Sequence, residues 1–245
     1  MLNMPKVNKI SCYFLVVLTT INLAIQAQIK EHDSVAITIN LHQPQPIFSV
    51  PNLAFPILSI AYGFGASHSS NLTKYNKNFQ QSIATTNKGT HIDNYLQYSP
   101  LLAIAALHTF GVASINKPKA QVKLALLTTI ISTAIVVPLK KITRELRPDG
   151  SCNTSFPSGH TTTAFAGAEL LHQEYKNATP IISILGYAAA ATTGILRVYN
   201  NKHWLSDVIA GAGFGIISTK ATYWLYPKLA KAFTQQHKTL LATIY

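Results

Sequence analysis

Residues 124–148 read LALLTTIISTAIVVPLKKITRELRP. Sixteen uncharged residues, 124–139, run into a basic cluster that stops at a proline. A block of this length predicts a helix rather than a strand, and Pro148 predicts its end. Lys140 and Arg147 lie seven apart, nearly two helical turns, so a helix carried to Pro148 projects both from one face. Two fixed cations side by side repel unless an anion sits between them. A guanidinium offers a planar fork to phosphate oxygens, and an ammonium offers a compact point charge. A basic helix end meeting lipid headgroups accounts for the same charges.

Blocks of the same kind stand on either side: YSPLLAIAALHTFGVASI (98–115), HTTTAFAGAELL (160–171), PIISILGYAAAATTGIL (180–196) and DVIAGAGFGIISTKATYWLY (207–226). None reaches the roughly 20 uninterrupted apolar residues of an unambiguous spanning helix. Yet only 11% of the 245 residues are charged, against about 25% in an ordinary soluble domain. The expectation is an all-α, membrane-embedded bundle of about five or six core helices, with a soluble helical core as the other possibility. Ala188 to Ala191 with Gly194, and the GxxxG spacing of Gly211 and Gly215, permit close helix approach. GAGFG has no strand before it and lies inside an apolar helix, so it is not a nucleotide-binding loop.

The net charge of +12 comes from Lys and Arg placed between the blocks, as juxtamembrane charges are. No aromatic-basic stripe points to nucleic acid. Cys12 and Cys152 have no metal-ligand spacing, so neither a zinc site nor a structural disulfide is expected. Residues 1–28 carry Lys6, Lys9 and an apolar run ending in AIQAQ, which reads as an export signal cleaved near Ala27 or as an uncleaved anchor. Residues 29–95 read as a polar leader with a short apolar segment, 53–66, broken by Pro56 and two glycines and expected to be re-entrant or surface-lying; were it to span, the orientation of every later helix would invert. The catalytic helical region is expected over 96–227, followed by a basic tail, 228–245.

Two shorter stretches carry chemistry. In PSGH (157–160), Ser158 predicts an N-cap for a helix beginning near His160, and Gly159 lets a ligand approach the backbone. Free amides at a helix N-terminus attract an anion. In LRVYNNKHWLSD (196–207), Arg197 ends one block and His203 opens the next, with Asp207 four residues on along the same face. A carboxylate there can hold one imidazole nitrogen and leave the other outward as a nucleophile. Each stretch alone also fits an ordinary exposed cap or surface pair. Together, three cations, a nest of amides, two histidines and one orienting acid suit phosphoryl transfer. One histidine attacks phosphorus, the other protonates the leaving oxygen, and the cations stabilise the equatorial oxygens. No carboxylate cluster suits a metal pair, so no metal and no cofactor is expected.

KKITRELRP, PSGH and RVYNNKHWLSD resemble, in order and internal spacing, the three signature motifs of the type 2 phosphatidic acid phosphatase (PAP2) superfamily. The likeness covers residues 140–207, with similar helices from about Asp93 to Tyr226. It implies His203 as nucleophile, Asp207 as its orienting partner and His160 as general acid. It implies Lys140, Arg147, Ser158, Gly159 and Arg197 as phosphate ligands. Leu196 departs from the small residue common before the third-motif arginine. The implied activity is phosphate removal from a lipid phosphate or pyrophosphate, among them lipid A, polyprenyl pyrophosphate, phosphatidylglycerophosphate and phosphatidate. A soluble periplasmic acid phosphatase, a vanadate-dependent haloperoxidase and a non-catalytic lipid-binding membrane protein are the alternatives. Lys117, Lys119 and Lys123 satisfy the positive-inside tendency if NKPKAQVK is cytoplasmic. That orientation puts the three motifs on the periplasmic face of a bacterial inner membrane. Trp204, Tyr223, Trp224 and Tyr226 read as interface anchors, and the sequence leaves the oligomeric state open.

Overall fold

The computed structural model describes residues 49–85 and 89–244. The leader expected over 1–28, the polar stretch 29–48 and Cys12 lie outside them. Among the described residues there are eight helices and no strand: α1 Val50–His68, α2 Ser70–Ile83, α3 Asp93–Leu96, α4 Ser99–Thr109, α5 Pro118–Thr143, α6 Gly159–Tyr175, α7 Pro180–Tyr199 and α8 Leu205–Ile244. The helix α6 packs against α7 and α8, and α8 also packs against α1 and α5.

The distribution of polarity is inverted. On α5, Val122, Leu126 and Ile130 stand 60–64% exposed, while Gln121, Thr128 and Ser132 face inward. On α7, Ile184, Leu185 and Ile195 are likewise exposed, and Ser183 and Thr193 are buried. A water-soluble core helix would show the opposite pattern. A contiguous exposed apolar surface on helices whose inner faces are small and polar suits a hydrocarbon surrounding. The helices α5 and α7 are also long and apolar enough to cross a membrane.

Two buried carboxylates on α6 organise the interior. Glu169 accepts hydrogen bonds from Lys220 Nζ (2.9 Å), Gln173 Nε2 (2.7 Å) and the Tyr187 hydroxyl. Glu174 accepts from the Asn116 backbone amide (2.9 Å) and side-chain amide (2.8 Å), Gln121 Nε2 (3.0 Å) and the Tyr223 hydroxyl. A buried carboxylate is tolerated only when its lone pairs are filled this way. Tyr223, expected at the membrane interface, turns inward because Glu174 needs its donor. Trp224 is half exposed, with the Lys228 ammonium 3.2 Å from its ring centroid.

Pro56 and Gly63 do not break α1, which runs through both. A side chain at Gly63 would meet Ala210 Cβ at 2.4 Å, so the residue that reads as a breaker is a contact with α8. On α8 the glycines serve two faces. A Cβ at Gly211 would lie 2.8 Å from Ser158 O, and one at Gly215 would lie 2.5 Å from Thr162 O, both on α6. At Gly213, on the other side, it would lie 2.6 Å from Pro56 O of α1. The obstacle at each is backbone, which cannot rotate aside. Gly215→Val is therefore expected to destabilise the fold by about 1–3 kcal/mol or more through overpacking. Thermal unfolding of the detergent-solubilised protein checks this, and an unchanged transition would contradict the packing.

Candidate active site

The C-termini of α5 and α7 and the N-termini of α6 and α8 meet at one end of the bundle. The first cation, Lys140, sits in the last turn of α5. Its Nζ donates to the carbonyls of Thr154 (2.7 Å) and Ser155 (3.2 Å). The helix does not continue to Pro148. Arg144 takes a left-handed conformation, φ 48°, and ends it, with its amide bonded to Lys140 O. Arg147 therefore reaches the site from the 144–158 loop and not from one helix face with Lys140. The loop is fixed by its own bonds: Arg147 N to Cys152 O (3.1 Å) and Ser155 N to Glu145 O (2.9 Å).

Two further contacts tie that loop to the one before α8. Trp204 Nε1 donates to Leu146 O (2.9 Å), so this tryptophan braces the loop. Lys202 Nζ pairs with Asp149 Oδ2 at 2.6 Å. Burial pushes the Asp149 carboxyl up, but hydrogen bonds from Lys202 and Ser151 outweigh it and hold the group at about 2. Behind Trp204 and Phe156 a cleft of about 640 Å³ opens, lined also by Ile142, Leu146 and Lys77.

Ser158 caps α6, its Oγ accepting from the Thr161 amide (3.4 Å) and hydroxyl (2.9 Å). Its own hydroxyl hydrogen remains free to donate. Ser158 N donates to Asp207 O (3.0 Å), which joins the start of α6 to the first turn of α8. Gly159 faces open space, with Lys140 Cε the nearest atom at 4.0 Å from a built Cβ.

His203 lies two residues before α8 begins, in the loop, and is 1% exposed. Its contact with Asp207 thus spans the helix start instead of following one helix face. Nδ1 is 3.4 Å from Asp207 Oδ2 and 3.5 Å from Ser155 Oγ. The same carboxylate oxygen accepts from Ser155 Oγ (2.5 Å) and the Trp204 amide (2.9 Å). These bonds fix the carboxylate, and the carboxylate fixes the ring, so Nε2 is the nitrogen turned away. Burial, then the positive charges of Lys140, Arg197 and Arg147, hold the His203 imidazole well below its ordinary range. The ring is neutral at pH 7, with a lone pair to use.

Arg197, in the last turn of α7, donates from a terminal nitrogen to Asp93 Oδ2 at 2.5 Å, both side chains buried. Its carbonyl accepts from the amides of Lys202 (3.0 Å) and His203 (3.3 Å). His160 Nε2 sits 2.9 Å from Asn94 Oδ1, within electrostatic reach of Arg197, Arg147 and Lys140. Arg147 Nε, Arg197 Nε and Asp207 Oδ1 are buried without a hydrogen-bond partner. The structure thus gathers all eight residues singled out in the sequence at one end of the bundle. It adds three that the motifs did not indicate: Asp93, Asn94 and Ser155. Asp93 had one signal, as one of only eight acidic residues in the chain. Ser155 and Asn94 had none.

The sequence profile of the PAP2 superfamily matches residues 121–231, which hold α5 to α7 and most of α8. Over that region the chain is similar to the PAP2 superfamily. Among PAP2-like relatives, the lipid A 1-phosphatase of Porphyromonas gingivalis is 41% identical over 137 residues, 56% of this chain and 31% of that protein. The bacitracin transport permease protein BcrC of Bacillus licheniformis is 33% identical over 78 residues, 32% of this chain and 36% of that protein. The matches span about a third of the length of these two curated relatives. The PAP2 fold itself recurs in the crystal structure of a transmembrane PAP2 type phosphatidylglycerolphosphate phosphatase from Bacillus subtilis. That structure has a TM-score of 0.54 and 19% identity, over 71% of this chain and 96% of the other.

The depressed His203 basicity has a stability consequence. Unfolded, the ring takes up a proton near pH 6.5 that the folded site refuses. Stability is therefore full above that pH and falls as pH drops below it, until the folded ring titrates. His203→Asn is expected to flatten that part of the acid loss, read as melting temperature against pH from 7.5 to 4.5. An identical slope in wild type and variant would contradict the buried neutral imidazole.

Proposed function

We propose that this chain is a metal-independent phosphatase that removes phosphate from a membrane lipid through a phosphohistidine intermediate. The observation that carries this reading is the His203 ring, neutral and held at Nδ1 by Asp207 and Ser155, with Nε2 free among three cations. In the first step His203 Nε2 attacks phosphorus, and the bond from phosphorus to the leaving oxygen breaks. That oxygen takes a proton from protonated His160. Lys140, Arg147, Arg197, Ser158 Oγ and the Gly159 amide stabilise the equatorial oxygens. Neutral His160 then takes a proton from water, which attacks the phosphorus, breaks its bond to Nε2 and restores His203. The cations supply the charge compensation that a metal pair gives in other phosphatases.

The exposed apolar faces of α5 and α7 favour a lipid substrate over a soluble ester. The relative from Porphyromonas gingivalis favours lipid A or a similar glycolipid phosphate among the lipids. The lysines before and within the first turn of α5 favour that end as cytoplasmic. The reading is therefore of a reacting end on the periplasmic side of an inner membrane.

The test is phosphate release by detergent-purified protein, with chelator present, from lipid A, polyprenyl pyrophosphate, phosphatidylglycerophosphate and p-nitrophenyl phosphate. Release from a lipid supports the reading. Release from p-nitrophenyl phosphate alone favours a broad acid phosphatase, and none at all favours a lipid-binding protein. His203→Ala is expected to lower turnover by at least about 10³-fold with the fold intact. Arg147→Lys is expected to lower kcat/KM by about 10–100-fold, because an ammonium cannot reproduce the fork. Near-wild-type rates in either would overturn the role assigned to that residue.

A further inference from the structure

The two histidines of the site have partners of different charge. His203 is held by a carboxylate. His160 is held by an amide, Asn94 Oδ1, at 2.9 Å from Nε2. An amide oxygen only accepts, so Nε2 carries the hydrogen of that bond. The proton for a leaving group must then come from Nδ1, which has no hydrogen-bond partner among the described residues. We infer that Asn94 is the positioning residue of the general acid, fixing the His160 ring so that Nδ1 faces the leaving oxygen. This rests on the phosphatase reading above.

The surroundings of Asn94 suit this role and no obvious structural one. Its side chain is exposed, and among the described residues its one hydrogen bond is to His160. A bond at an exposed site contributes little to stability, whereas its geometric effect on a half-buried ring is direct. The segment that leads to it is fixed at two points. Before it, Thr90 N donates to Asn200 Oδ1 (3.0 Å), and Asn200 Nδ2 donates to Thr90 O (2.8 Å). Immediately before it in the chain, Asp93 is clamped by Arg197. Gly89 lets this segment close on Asn200, since a Cβ there would lie 2.4 Å from Asn200 Oδ1. Asn94 is thus presented by a short helix braced against the last turn of α7 and the loop after it.

The difference in partners follows the two tasks. A nucleophile gains from a fixed carboxylate, which stabilises the positive ring that forms when nitrogen bonds to phosphorus. A general acid must release its proton, and an anion beside it would hold that proton back. A neutral amide sets the ring's direction without adding that hold.

The test separates protonation from folding by choice of leaving group. An alkyl or glycosyl phosphate expels a strongly basic oxygen and needs the proton. The weakly basic nitrophenolate of p-nitrophenyl phosphate leaves without it. For Asn94→Ala, kcat/KM is expected to fall about 10²-fold on the alkyl or glycosyl lipid phosphate, not a pyrophosphate, that wild type cleaves fastest. On p-nitrophenyl phosphate it is expected to change by less than about threefold, since no general-acid contribution is lost there. Asn94→Asp keeps an acceptor for Nε2–H and is expected to recover part of the lipid activity. Equal loss on both esters, no loss on either, or an Asp variant no better than Ala would overturn the role of Asn94 alone. Wild-type protein that releases phosphate from no lipid would overturn the phosphatase reading and this inference with it.

Discussion

The backbone-to-backbone approach of α6 and α8 sets everything else in the site. Gly211 and Gly215 leave α8 no side chain at the contact, so the carbonyls of Ser158 and Thr162 come closer than a Cβ would allow. At this separation Ser158 N reaches Asp207 O (3.0 Å). One hydrogen bond then fixes the register between the helix that starts at Gly159 and the one that carries Asp207. A wider separation would move the two histidines apart without touching either. The catalytic spacing is therefore a property of small residues four and eight positions beyond the acid.

The charges are held as tightly as the backbone. Lys140 is tied to two loop carbonyls and Arg197 to Asp93, while buried guanidinium nitrogens of Arg147 and Arg197 keep no partner. Donors fixed in advance need no rearrangement when charge develops on phosphate oxygens. Holding cations this close raises the energy of the empty site. The price is met by Asp93, Asp207 and the packing beneath them.

Much of this was legible in the sequence. The apolar blocks gave the helices because block length separates helix from strand, and the three motifs gave the residues that converge. The path of the chain between them was less legible. Arg144 ends α5 through a left-handed turn that nothing in KKITRELRP announces, so a helical spacing of Lys140 and Arg147 looked sound and was not what forms. His203 likewise precedes its helix, because the carboxylate of Asp207, third in the helix, reaches back to the Trp204 amide as in a capping box. Pro56 and Gly63 read as breakers, yet both sit inside α1, where contact with α8 outweighs local propensity. Asn94 and Ser155 were invisible because their partners lie 66 and 52 residues away, and a single chain carries no local sign of such pairings.

The buried carboxylates of α6 bear on how the chain enters a bilayer. α5 and α7 can each partition into hydrocarbon by composition, but α6 carries Glu169 and Glu174, and α8 carries Lys220. Alone in lipid, each of these charges would be unpaired and costly. Lys220 meets Glu169 only when α6 and α8 are already side by side, 51 positions apart in the chain. Biogenesis thus has a built-in order: the polar helix waits for its partner, and the helices before and after it must shelter it until α8 is made.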